Sequence, residues 1–110
     1  MDQIEFGDFQ KIKMKVGQII SAEKVENSDK LIKMQVNIGE SKIQVVSSIA
    51  DWYKPEELIG FKPIVIVNLK PAKFRGELSE GMLLTAEVET ENKVVLLSPS
   101  KDINVGADIR

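Results

Sequence analysis

Asn68-Leu69-Lys70-Pro71-Ala72-Lys73-Phe74-Arg75-Gly76-Glu77-Leu78-Ser79-Glu80-Gly81-Met82 is the stretch on which the reading of this chain turns. The apolar, β-branched run Ile64-Val65-Ile66-Val67 leads into it and reads as a buried strand. Met82-Leu83-Leu84-Thr85-Ala86-Glu87-Val88 leads out of it and reads as another. Between them Pro71 fixes φ while Gly76 and Gly81 permit unusual backbone angles, so the connection is shaped rather than slack. It carries Lys70, Lys73, Arg75, the ring of Phe74 and the hydroxyl of Ser79. Cations and an aromatic ring on a braced loop suit a phosphate backbone and an unstacked base. The same residues also suit an ordinary solvated hairpin loop, because basic surface loops are common.

Working outward, Leu31–Ile38 alternates, with Ile32, Met34, Val36 and Ile38 on one side and Lys33, Gln35 and Asn37 on the other. Gly39-Glu40-Ser41 turns the chain and Ile43–Ser47 returns, which predicts a β-hairpin. Lys33, Lys42 and Gln44 are outward-facing polar residues of this hairpin, or candidates for the nucleic-acid face that these strands would form if the barrel is of the OB type. Met14–Val25 alternates more loosely and is interrupted by Gly17, as expected of a first strand that bends. Residues 1–12 predict a short helical entry with Asp8 as N-cap and Phe6, Phe9 and Ile12 packed into the core. Lys54–Gly60 predicts one helical turn, with Pro55 near its first position and Gly60 at its C-cap. Trp52 and Tyr53 read as a plug at the barrel's end or as a stacking pair for bases. Phe61–Leu69 and Met82–Val88 supply the fourth and fifth strands. Val94–Leu97 adds a further short one, and the tail brings spaced aliphatics at Ile103, Val105 and Ile109.

A chain of 110 residues without repeat, linker or low-complexity stretch is one domain, 1–110, with enough core to fold without staples. It has no cysteine and no histidine. That excludes disulfides and Cys-based zinc sites, and removes the commonest general base, so an enzyme is the weakest class and no cofactor is implied. No apolar stretch is long enough for a membrane span, and the expected setting is cytoplasmic. Fifteen cations face 17 anions, a net charge of −2. Nucleic-acid binding therefore requires segregated charge. Lys11–Lys33 holds six lysines against three acids, whereas Glu77–Glu91 holds five acids and no cation, which predicts a basic face opposite an acidic one.

The run Asn68–Gly76, followed by Ser79-Glu80-Gly81-Met82-Leu83-Leu84, resembles the signature of the OB-fold tRNA-binding domain, found in methionyl-tRNA synthetases, free-standing tRNA-binding proteins, CsaA and EMAP-II-like proteins. The resemblance extends from about Phe6 to Arg110. It implies an all-β, five-stranded Greek-key barrel with short helices and C-terminal extra strands. The function it implies is shape-specific tRNA binding, in or beside a methionyl-tRNA synthetase catalytic chain. The contacts carried over are Lys30 (in Ser28-Asp29-Lys30-Leu31), Lys73 and Arg75 for phosphates, Ser79 for a hydroxyl hydrogen bond, and Phe74 and Met82 for bases. Val25-Glu26-Asn27 stands where members often have His-Pro, and Ser48 where they have glycine. Two alternatives stay open: a CsaA-like dimeric chaperone for unfolded peptides, and an EMAP-II-like assembly domain. The segment 89–110 and its aliphatics predict a homodimer, through the C-terminal third, as in relatives of this kind.

Overall fold

In the computed structural model, which describes all of residues 1–110, the first strand is divided where the sequence has its glycine. β1 (Met14–Val16) and β2 (Gln18–Lys24) meet at Gly17. A Cβ there would lie 2.8 Å from Val36 Cγ1 and 2.9 Å from Val65 Cγ2, so only glycine fits where the chain bends from one sheet into the next. On one side β2 pairs antiparallel with β3 (Ile32–Asn37), and β3 with β4 (Lys42–Ser47). The alternation is as read: Ile32, Met34 and Val36 are fully buried while Lys33, Gln35 and Asn37 look outward.

On the other side β1 pairs with β5 (Ile64–Ile66). A hairpin of β6 (Ala72–Phe74) and β7 (Glu77–Ser79) follows, and β8 (Met82–Leu83) returns to β5. Because β8 also lies against β4, the segments close in the order β1/β2, β3, β4, β8, β5. The result is an all-β, barrel-like fold around Ile19, Ile32, Met34, Val36, Val45 and Val65. Burying each such side chain contributes about 1.5–3 kcal/mol.

The fourth and fifth strands are shorter than the sequence predicts. Phe61 and Pro63 accept hydrogen bonds from Ile19 and Gly17 outside the ladder, and Pro63 has no N–H to offer one. The fifth strand breaks at Leu84, whose N–H donates to Ile64 O and whose carbonyl accepts from Leu97. Beyond it β9 (Thr85–Val88) pairs with β10 (Lys93–Leu96) across a 3₁₀ turn at Glu89–Glu91. α2 (Pro55–Leu58) starts at Pro55, as predicted, and buries Leu58, with Gly60 beyond it at φ +89°. Tyr53 and Trp52 part company: the Tyr53 hydroxyl accepts from the Leu96 N–H, whereas the Trp52 indole donates to Asn92 O.

The C-terminal segment is integral to this packing. Leu96 is 5% exposed within the core, Val94 packs against it, and β11 (Asp108–Ile109) pairs with β1. The N-terminal helix differs from expectation. α1 (Phe6–Gln10) has Glu5 as its N-cap, with no side-chain cap, and Asp8 sits inside it, paired to Lys11. It buries no residue; Phe6 is 71% exposed and Ile12 also faces out. Five residues cannot lay two rings into a core that β5, β8 and α2 already fill, and Phe6 instead stacks on Phe9 at 6.3 Å.

Candidate nucleic-acid interface

The decisive stretch is a β-hairpin rather than a simple loop. Phe74 pairs with Glu77, and the two residues between them, Arg75 at φ +53° and Gly76 at φ +83°, make the tight turn. Two positive φ values match the twist of the flanking strands, which is why two-residue hairpins favour them. A non-glycine residue there costs about 1–2 kcal/mol, and such strain is tolerated chiefly where a side chain has a task. Arg-Gly lacks the Asn-Gly or Asp-Gly cue, so the turn was hidden in the sequence.

The hairpin is tied down along the free edge of β4. Glu80 N–H donates to Gln44 O at 2.7 Å, and Gln44 N–H donates to the Glu80 carboxylate at 3.0 Å. The Gln44 side-chain amide donates to Leu78 O at 2.8 Å and accepts from Gln35 at 2.9 Å. Ser79 is 5% exposed; its hydroxyl accepts from Val46 N–H at 3.0 Å and donates its only proton to Gly81 O at 3.0 Å. Gln44 and Ser79 therefore hold the hairpin, and Ser79 has no proton left to donate to a ligand. Gly81 is required by proximity, since a Cβ would sit 2.8 Å from Ile66 O. At the other end of the signature Asn68 donates to Lys11 O at 2.7 Å and accepts from Lys13 N–H at 2.9 Å, anchoring the chain after α1.

Lys33, on the outer face of β3, lies 3.2 Å from Glu23 and 3.4 Å from Glu77. Hydrogen bonding to Glu23, then to Glu77, holds its ammonium above the ordinary lysine value. Its charge is already met by two carboxylates. Lys42 is exposed at the far end of the β3–β4 hairpin, five residues or about 17 Å along the strand from Ser47.

Lys30, Phe74 and Met82 do come together. With Lys70, Leu69 and Trp52 they border a cleft of about 640 Å³ whose floor includes Ile49 and Leu83. Phe74 and Met82 are both exposed there. Lys73 and Arg75 are exposed on the hairpin next to the cleft, outside its lining, and, like Lys30 and Lys70, form no ion pair. Lys30 is fixed by a turn in which the Ser28 hydroxyl accepts from the Lys30 and Leu31 N–H groups, and its carbonyl accepts from Ala50. Ser48, Thr85 and Glu87 also line the cleft, and of these only Thr85 bears no mark in the sequence, Ser48 being a departure from the family pattern and Glu87 part of the acidic run. The charge pattern needs correction here: Glu87 stands on the cleft wall and Glu77 reaches Lys33, so the acidic run does not form a separate opposite face. No group of three carboxylates or other ligands is arranged to hold a metal, and no helix is long and apolar enough to cross a membrane.

A second, more apolar groove of about 470 Å³ separates α1 from the β1–β11 edge, lined by Phe6, Phe9, Ile12, Val67 and Ile109.

The model of the family described as "Putative tRNA binding domain" matches residues 14–108. Methionine–tRNA ligase of Methanocaldococcus jannaschii is 49% identical over 110 residues, which are all of this chain but 17% of that protein. A solved structure of a MetRS-related protein from Pyrococcus horikoshii superposes with a TM-score of 0.93 at 44% identity, covering the whole of both chains. The chaperone CsaA from Bacillus anthracis gives 0.88 at 29%, covering 99% of this chain and 100% of its own. With the match spanning the barrel, the braced hairpin and the strand β11 region, the chain belongs to the tRNA-binding domain family.

Proposed function

We propose that this chain is a tRNA-binding module, without a reaction of its own, that recognises the tRNA fold by shape. Lys30, Lys70 and Lys73 and the Arg75 guanidinium meet phosphates around the cleft, while Phe74 and Met82 offer apolar surface to an unstacked base. One observation carries this reading: in a chain of net charge −2, Lys30 and Lys70 line one apolar cleft and the adjoining hairpin exposes Lys73 and a strained Arg75, all four without an ion pair. Gln44, Ser79 and Lys33 serve by holding the hairpin. The module works in the cytoplasm beside a methionyl-tRNA synthetase catalytic chain, whether joined to it or separate, and raises the local concentration of tRNA. It acts as a homodimer. Phe6, Phe9 and Ile12 line an apolar groove against the short C-terminal edge strand β11, which a second copy would cover. Two modest cationic clefts in one particle then bind by avidity.

The apolar lining of the cleft and the CsaA likeness favour one rival, an unfolded-peptide receptor. A gel-shift competition decides between them. Labelled mixed tRNA should be retained against excess unfolded polypeptide and lost to excess unlabelled tRNA; displacement by the polypeptide alone would reverse the assignment.

A further inference from the structure

The outer face of the three-stranded sheet carries Lys33 in an unusual position for a residue of a binding surface. Glu23 stands directly opposite it on β2, and Glu77 reaches it from the first position of β7. Glu77 is also the residue that closes the hairpin turn, paired with Phe74 across Arg75 and Gly76. Every other tie on the hairpin, from Gln44, Val46 and Glu80, attaches to residues 78–80 at its base. Lys33 is the side chain from the sheet that bonds next to the tip. Its side chain is 23% exposed and its ammonium lies within 3.4 Å of both carboxylates.

We propose that Lys33 is a positioning residue: bridging Glu23 and Glu77, it latches the tip of the β6–β7 hairpin to the sheet and so sets the direction in which Lys73 and Arg75 are presented. The proposal rests on the tRNA-binding reading for its consequence, but the latch itself is a property of the free protein. It assigns a function to two acids that would otherwise oppose a polyanion. Glu77 lies two residues from Arg75, and on charge alone its removal should tighten RNA binding. A latch makes the opposite prediction, because releasing the tip lets the two cations sample directions that miss the phosphates.

Two measurements test it on Lys33→Met, Glu77→Ala and the double variant. The first uses no RNA: limited trypsin cleavage after Arg75, with cleavage after Lys42 as an internal reference. Each single variant should be cut after Arg75 about two- to fivefold faster, the effect of losing a partly exposed ion pair, with no change at Lys42, and the double variant should be no faster than the singles. The second is tRNA binding as a function of salt. Both single variants should bind two- to fivefold more weakly with the wild-type salt slope. Equal or tighter binding by Glu77→Ala overturns the latch, as does unchanged cleavage after Arg75. A fall of about 0.7–0.9 in the slope for Lys33→Met would instead make Lys33 a phosphate contact and overturn it too. Should Lys33→Met fail to fold, Glu77→Ala alone carries both arms. If tRNA does not bind the wild-type protein, the cleavage arm still decides the latch.

Discussion

Lys73→Ala with Arg75→Gly is the substitution that bears most directly on the interface. Glycine is chosen at 75 because that residue sits at φ +53°, where alanine keeps the strain and glycine removes it. Both side chains are exposed and form no ion pair, so the fold loses no internal contact of theirs. The expected loss is electrostatic. Each phosphate contact contributes about 0.7–0.9 to the slope of log affinity against log salt, so removing two should lower the slope by about 1.4–1.8. Extrapolated to 0.1 M salt from a 1 M reference, that corresponds to about a 25- to 60-fold weaker complex. Filter binding of a mixed tRNA pool between 50 and 200 mM salt measures both quantities, with urea unfolding as the control on stability. Lys42→Ala, at the far end of its hairpin, should leave the slope unchanged. Unaltered affinity and slope in the double variant, with the fold intact, would refute the placement of RNA at this hairpin.

The structure leads to three other expectations. Leu96→Ala opens the core from the C-terminal segment and should lower unfolding stability by about 2–5 kcal/mol in urea titration; a chain ending at Glu89 should fail to fold, not merely fail to dimerise. Asp108, whose carboxyl is held below its ordinary 3.8 first by the Lys15 hydrogen bond and then by the charges of Lys15, Arg110 and Lys13, has a folded value depressed relative to the unfolded one. Its stabilisation of β11 is thus fully present above 3.8 and lost as pH falls through the lower folded value, so the protection of the Ile109 amide against exchange, corrected for the intrinsic rate at each pH, should fall only in that acid range. Phe6→Ser with Ile12→Ser should halve the particle mass in light scattering at micromolar concentration while the far-UV circular dichroism stays that of the folded chain, because neither side chain is buried in the chain itself.

What the sequence disclosed follows from which interactions leave a periodic trace. Strict alternation through Ile32, Met34, Val36 and Ile38 identified the central hairpin, because one side of it is wholly buried. Gly17 was legible as a bend, since a glycine within a strand pattern marks a bulge, a bend or a close backbone approach. The apolar spacing of Phe6, Phe9 and Ile12 misled, because a stripe facing solvent has the same period as one facing a core. Strand ends at Ile66 and Leu84 were illegible for another reason. They are set by hydrogen bonds from residues distant in sequence, such as Val67 N–H to Lys13 O and Leu97 N–H to Leu84 O. At the interface the residue types on the signature were readable. Their division of labour was not, since a lysine bound to two carboxylates and one free on a rim look alike in a string of letters.

That division also explains how an acidic chain can present a cationic surface. Glu23 and Glu77 are held by Lys33, Glu80 by the backbone N–H of Gln44, Asp102 by Lys62 and Asp108 by Lys15. Carboxylates occupied in this way project little field toward a ligand, and exposed ones more than about 10 Å away are largely screened at 0.1 M salt. Net charge is then a weak guide, and the local arrangement at the cleft decides. Within it two acids keep no cationic partner: Asp51, and Glu87 on the cleft wall, which accepts only from the Thr85 hydroxyl, at 3.3 Å. On the proposed reading a phosphate chain would avoid the Glu87 wall and follow Lys70 and the hairpin cations Lys73 and Arg75, with Lys30 at the β3 end. Attraction along one border and repulsion at another give a direction to binding that no base-specific contact supplies, which is what reading a tRNA by its shape requires.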